Sequence, residues 1–431
     1  MIRALHLCAV LLLFGGQAAA QDVLVPSKLS LAQAWRLAED RNPSLAAARE
    51  AVTRAEAGIT TAGTRPNPSL NVASEGYAFS RGSGAPWLNQ QEIAVRAEQE
   101  IELGDRRALR IGVAQSGVDA ARAELADRRR QLLFEVRRAY LSAVLAQAEL
   151  DVATTTLGGI DTLVTVNRAR LEQGEISGVE MRRLQVERFR FADDRFAAEL
   201  SVRNTRGALL ALLAATPLDQ PFELTDGLTA APAAAAAGPA VDLRALALAS
   251  RPDVQAARRG LEAAGRDVTL QHVLRVPNIT IGAGYRRDFG SGGAVLDFTV
   301  PLPFFDRNQG GIARAGAERL LAGTRVRAAE LTAALEVQQA MNAVEINRNR
   351  VSYVEREYLR NAREARDIVL ASYRAGASTL TDYLDAQRAL REAQRVQNRA
   401  LYEYQLSLFL LDSATGRMPS DASAAPRKEM P

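Results

Sequence analysis

Residues 41–70 read RNPSLAAAREAVTRAEAGITTAGTRPNPSL, and residues 250–281 read SRPDVQAARRGLEAAGRDVTLQHVLRVPNITI. Pro43 and Pro68 stand 25 residues apart, as do Pro252 and Pro277. The correspondence continues downstream. IELGDRRALRIG at 101–112 is answered by PLPFFDRNQGGIARA at 301–315, and RLEQGEISGVEMRRLQVE at 170–187 by SYRAGASTLTDYLDAQRA at 372–389. Asp105 precedes Gly174 by 69 residues and Asp306 precedes Gly376 by 70. The chain is therefore written twice, with a repeat of about 200 residues, which organises it more firmly than any short motif.

Proline placement agrees. None occurs from Trp87 to Thr216 or from Phe304 to Met418, so two long helix-permissive tracts alternate with two broken ones. Each repeat opens with an amphipathic helix, about 29–62 and 242–272. Two strands follow in each. Glu92–Leu103 (EIAVRAEQEIEL) alternates: Ile93, Val95, Ala97, Ile101 and Leu103 take one face, and Glu92, Arg96, Glu98, Glu100 and Glu102 the other. In the second copy Ala294, Leu296, Phe298, Val300 and Leu302 alternate with Val295, Asp297 and Thr299. Residues 69–79 and 278–287 read as hairpin partners of strands 92–103 and 294–303, across Gly-bearing loops. Such strands suit either a membrane barrel with a wet lumen or a half-buried soluble hairpin.

Long helices come next, Asp105–Glu172 and Gly310–Arg374, each about 100 Å at 1.5 Å per residue. Leu125, Leu132, Val136, Tyr140 and Val144 form a narrow apolar stripe on the first. Val344, Val351, Val354 and Tyr358 do so on the second. Narrow stripes demand lateral partners, as in a bundle. Gly174 and Gly376 read as C-cap residues and tip turns. Ser177 and Thr379 then start return helices, with Glu180 and Asp382 three residues on. The domain reading is 1–20 signal peptide; 21–216 first repeat, with its helical hairpin over 105–214; 217–240 Ala/Pro-rich linker; 241–415 second repeat, with its hairpin over 310–412; and 416–431 disordered tail.

Composition narrows the function. The chain has 431 residues, 47% hydrophobic but only 5% aromatic, so Ala, Leu and Val carry the packing. Arg3, the apolar run AVLLLF at 9–14 and Ala18-Ala19-Ala20 form an export signal. Cys8, the only cysteine, lies inside that run and not at the cleavage point, which argues against a lipidated N-terminus. Without Cys8 and His6 a single histidine, His272, remains, reading as a solvated or packed residue. Disulfides, thiol nucleophiles and Cys or His metal centres are excluded, and no metal site or cofactor is expected. No P-loop is present, Gly282-Ala-Gly284 lacks the third glycine of a dinucleotide fingerprint, and no acid–base or nucleophile constellation appears, so an enzyme is not expected. Basic and acidic residues number 54 and 50 and are interspersed, which argues against nucleic acid as a partner. No later stretch is long and apolar enough for a membrane helix, so any membrane insertion must use a closed barrel.

An export signal followed by two copies of helix, β-hairpin, long helix and return helix resembles the TolC-like outer membrane factors. The resemblance covers 29–415 and is most specific in RAGASTLTDYLDAQRALREAQ at 374–394, PLPFFDRNQGGIARA and the paired helix starts NPSLAAA and RPDVQAA. It implies a mainly α fold with a membrane β-barrel. In this family a homotrimer shares one twelve-stranded barrel in outer-membrane lipid, above a long α-helical periplasmic tunnel. It further implies a passive duct of a tripartite efflux system, with a periplasmic adaptor and an inner-membrane pump as partners. FFDRNQGG is similar to the CzcC-like heavy-metal branch. Ducts for drug efflux or type I protein secretion share the fold, and a soluble periplasmic scaffold or adaptor is the alternative of another class. By resemblance Asp382 and Asp385 fall where the family rings the tunnel's narrowest point, and Tyr373 and Glu180 where gate contacts lie. Both aspartates also read as ordinary first-turn acids. The family archetype's linking arginine falls on Ser378, leaving Arg374 or Arg182 as candidate replacements.

Overall fold

The computed structural model describes residues 23–75, 92–229, 242–288 and 291–417. The export signal, residues 76–79 of the first expected strand, most of the Ala-rich stretch and the tail from 418 lie outside the described residues. The order is β1 (Lys28–Leu29), α1 (Leu31–Arg41), α2 (Pro43–Gly63), β2 (Ser69–Glu75), β3 (Glu92–Ile101), α3 (Arg106–Glu172), α4 (Gly178–Leu212) and β4 (Glu223–Leu224). The second half runs α5 (Leu243–Ser250), α6 (Pro252–Val273), β5 (Ile279–Asp288), β6 (Ser291–Thr299), α7 (Gln309–Tyr353), a π-helical turn (Val354–Leu359), α8 (Arg360–Arg374) and α9 (Leu380–Ala414).

Several sequence expectations change. Each opening helix is two helices, because Pro43 and Pro252 occupy the first helical position. The residues before them, Asn42 and Arg251, are extended at ψ 123° and 127°. Asn42 and Arg251 then do equivalent work. The Asn42 amide donates to the Leu212 carbonyl at 2.8 Å, and the Arg251 guanidinium to that of Ala414 at 3.3 Å. The second long helix is interrupted by the π turn, whereas α3 runs unbroken for 67 residues. The two long helices start from Asp105 and Asn308, both left-handed at φ 54° and 56°, so the structural equivalent of Asp105 is Asn308 and not Asp306. Strands β3 and β6 stop short of Leu103 and Pro303: a left-handed Gly104 (φ 74°) follows the first, and Pro301 and Pro303 cannot donate to a ladder after the second. The stretch 217–229 is tied to the helices at points along an otherwise mostly exposed path: β4 pairs in parallel with β1, and Gln220 and Phe222 are buried.

The two hairpins form one antiparallel sheet in the order β2-β3-β5-β6. Cross-strand rows Val72–Val95–Tyr285–Ala294 and Leu70–Ala97–Ala283–Leu296 share one face. That face is apolar and bare, with Leu70 70% and Leu296 83% exposed. The opposite face carries the row Ser69–Glu98–Gly282–Asp297. A Cβ at Gly284 would collide with the Val95 carbonyl and with the backbone and side chain of Arg96, so only glycine fits against β3 there, and Arg96 reaches Asp297 at 3.5 Å. Apolar-out and polar-in is the pattern of a lipid-facing strand set around water. Both outer edges, β2 and β6, lack a partner among the described residues, and four strands cannot close by themselves. No described helix is long and apolar enough to cross a membrane.

The helices pack laterally in successive clusters, not around one centre. Leu132, Val136 and Tyr140 of α3 meet Leu29, Ala34 and Leu209 near the β1–β4 pair. At the far end, Ile160, Leu163 and Val164 of α3 and Met181, Leu184 and Phe191 of α4 meet Tyr373, Leu380, Tyr383 and Leu384 of the second hairpin. This second cluster positions the candidate site.

Candidate functional site

Both hairpins turn at a glycine in the left-handed region. Gly174 and Gly376 each have φ 76°, and nothing lies within 4 Å of a Cβ placed on either, so conformation and not space selects glycine. The closures match. Gly174 and Glu175 donate to the carbonyls of Leu171 and Arg170 at 3.0 and 2.9 Å; Gly376 and Ala377 donate to those of Tyr373 and Ser372 at 3.1 and 2.8 Å. These are Schellman-type ends that satisfy the last carbonyls of each long helix.

The return helices start differently. The Ser177 hydroxyl accepts from the Glu180 amide at 3.2 Å. Thr379 and Asp382 form a complete capping box: the Thr379 hydroxyl accepts from the Asp382 amide at 3.2 Å, and the Asp382 carboxylate accepts from the Thr379 amide at 2.9 Å. Those bonds, first to the hydroxyl and then to the amide of Thr379, hold the Asp382 carboxyl below its ordinary pKa. Asp382 is thus an exposed acid and a helix cap at once.

Asp385, one turn on and exposed, accepts from Arg388 at 2.7 Å. Arg388 also lies 3.4 Å from Glu187 of α4, which in turn pairs with Arg190 at 2.8 Å. One arginine therefore ties the second hairpin to the first. The next contact along the same seam is Arg391 with Asp194.

Tyr373 is buried and donates to Asn167 Oδ1 at 2.7 Å, while the Asn167 amide donates to the Leu163 carbonyl at 3.0 Å. Its ring stacks on Tyr383 at 6.1 Å between centroids, with the Arg170 guanidinium 5.7 Å away. Burial pushes the Tyr373 hydroxyl up in pKa; the Asn167 bond opposes and the charge of half-buried Glu180 reinforces that shift. Tyr373 and Glu180 are thus electrostatic neighbours, but the direct partner of Tyr373 is Asn167. Ser378 donates to the Val369 carbonyl at 3.2 Å, a local bond within its own turn. His272 is exposed, at the other end of the hairpins.

Asn167, Tyr383, Glu187 and Arg388 escaped the sequence reading. Asn167 carried a signal, a polar residue within the run Leu163, Val164, Asn167, Leu171; the others sit in charge-rich helix with nothing to set them apart. The tip therefore presents exposed carboxylates over a buried tyrosine pair, with cross-hairpin arginine bridges behind them. Such a site can attract cations and hold or release two hairpins.

The outer membrane efflux protein family matches residues 34–215 and 243–417. The cobalt-zinc-cadmium resistance protein CzcC of Cupriavidus metallidurans is 29% identical over 343 residues, 78% of each chain. The nickel and cobalt resistance protein CnrC of the same organism is 27% identical over 309 residues, 70% of each chain. Among solved structures, that of CusC superposes with a TM-score of 0.75 at 19% identity, covering 90% of this chain and 92% of that one.

Proposed function

Because the chain belongs to the outer membrane efflux protein family, we propose that this outer-membrane channel exports divalent transition-metal cations as the exit duct of a tripartite assembly. The similarity to CzcC over 78% of each chain carries the substrate class. The duct works as a homotrimer: three copies supply twelve strands, β6 of one pairs with β2 of the next, and the bare edges disappear. A periplasmic adaptor and an inner-membrane pump complete the path and supply the energy.

Asp382 and Asp385 line the narrow end of the tunnel. In a trimer they bring six carboxylates to one constriction, which favours cations. Tyr373 and Glu180, with Asn167 and the Arg388 bridge, hold the hairpins together while the end is closed. Deleting the gene should sensitise cells to cobalt, zinc or cadmium, and the wild-type copy should restore resistance. Unchanged metal tolerance together with retention of a secreted protein would instead select type I secretion.

A further inference from the structure

A cavity of about 660 Å³ opens where the sheet meets the long helix of the first repeat, lined by Arg65, Pro66, residues 99–102, Asp105–Ala108 and Ile111. Arg106, the first residue of α3, is among its walls and is only 7% exposed. Its Nε and Nη2 are buried without a hydrogen-bond partner among the described residues. A buried guanidinium with open donors is costly and calls for an anion. Burial lowers the Arg106 pKa, with Glu102 and Glu100 opposing, and the arginine stays charged.

A second observation points the same way. The Asp105 side chain caps no amide at the start of α3, so the positive end of a 67-residue helix opens beside Arg106. Two of the three carboxylates in the cavity are already engaged. Glu102 is held by Arg110, and Glu100 accepts from the Asn278 amide at 2.6 Å. Asp105 is exposed, and Arg65 and Arg107 add two cations at the rim.

Depth suggests a source. The cavity lies just past Ile101, at the end where the outward apolar residues stop. At that end Phe304 and Phe305 of the second repeat stand 69% and 94% exposed, as interfacial aromatics do. The geometry points to a phosphate site centred on Arg106, filled by the phosphodiester headgroup of a lipid in the periplasmic-side leaflet or by free phosphate. Its headgroup depth rests on the barrel reading; the phosphate chemistry does not.

The test uses the full-length purified protein in detergent, titrated calorimetrically with dihexanoyl-phosphatidylglycerol and, separately, with inorganic phosphate. Wild type should take one equivalent per chain. Arg106→Gln should weaken that binding at least tenfold and Arg65→Gln less, with Arg314→Gln, at an exposed position of α7, unchanged. Response to the lipid alone identifies a headgroup site, and response to both a free-phosphate site. Equal binding by wild type and Arg106→Gln overturns the proposal. So does an absence of binding in wild type, as when a neighbouring copy's carboxylate already occupies the guanidinium. If Arg106→Gln fails to fold, the Arg65→Gln titration decides, and unaltered binding there counts against the site. Failure to fractionate with the outer membrane would refute the barrel while leaving the titration to be read independently.

Discussion

Tyr140 shows how one side chain joins distant parts of the chain. Its buried hydroxyl lies 2.9 Å from the Leu29 carbonyl and 2.8 Å from the Asp226 carboxylate, and accepts from the Asp226 amide at 3.3 Å. Burial, as the largest influence, pushes its pKa up to about 12. A folded value above the unfolded one of about 10 gives stability that is intact below pH 10 and lost as pH rises towards 12. Tyr140→Phe should therefore remove an alkaline step from melting temperature plotted against pH, while costing about 1 kcal/mol at neutral pH from the lost hydrogen bonds; an unaltered alkaline limb would refute the assignment. Asp382 has the opposite sign. Its depressed pKa gives stability that is present above the ordinary carboxylate range and lost as pH falls through the folded value. Thr379→Ala should cost about 1 kcal/mol by removing the cap and should flatten that acid limb, as thermal unfolding at graded pH would read. The apolar stripe made Tyr140 visible in the sequence. Its partner Asp226 was not, because it lies in a stretch whose composition reads as linker.

At the scale of elements, the duplication, the strand alternation and the two glycine turns were legible because each is a local pattern with a fixed period or a fixed φ. The π turn was not, since VEREYL contains neither proline nor glycine. Its effect is one of phase. The sequence stripe places Tyr358 in line with Val351 and Val354, but the structure buries Leu359 and leaves Tyr358 39% exposed. Core positions on this helix are Val351, Val354, Leu359 and Ala362, spaced 3, 5 and 3, and a π turn absorbs the extra residue. Deleting Glu355 restores the 3, 4, 3 spacing of a heptad seam, so that chain should fold and melt no lower than wild type. Loss of folded protein would show that the turn does more than correct register. Gly376→Ala, by contrast, forces a Cβ into the left-handed region and should destabilise by about 1–2 kcal/mol, as denaturant unfolding would measure.

On the scale of the whole molecule, the described sheet leaves an apolar face and two edge strands bare; lipid covers the face, and in the trimer proposed above a neighbouring copy pairs each edge. At the tip the sequence could offer only the residue types, because charge balance depends on contacts between the two hairpins of the chain. Asp385 is partly neutralised by Arg388, whereas Asp382 spends its carboxylate on hydrogen bonds and keeps its charge. If these acids ring the constriction, the two sites should respond in opposite directions to two changes that leave the helix start intact. Asp385→Ala removes negative charge and should lower cation selectivity. Arg388→Gln unmasks Asp385 and Glu187 and should raise it. Reversal potentials in planar bilayers under a salt gradient separate the outcomes, and screening makes low salt the sensitive regime. Equal reversal potentials in both variants and wild type would place the selectivity elsewhere along the tunnel and reduce Asp385 to one end of a structural ion pair.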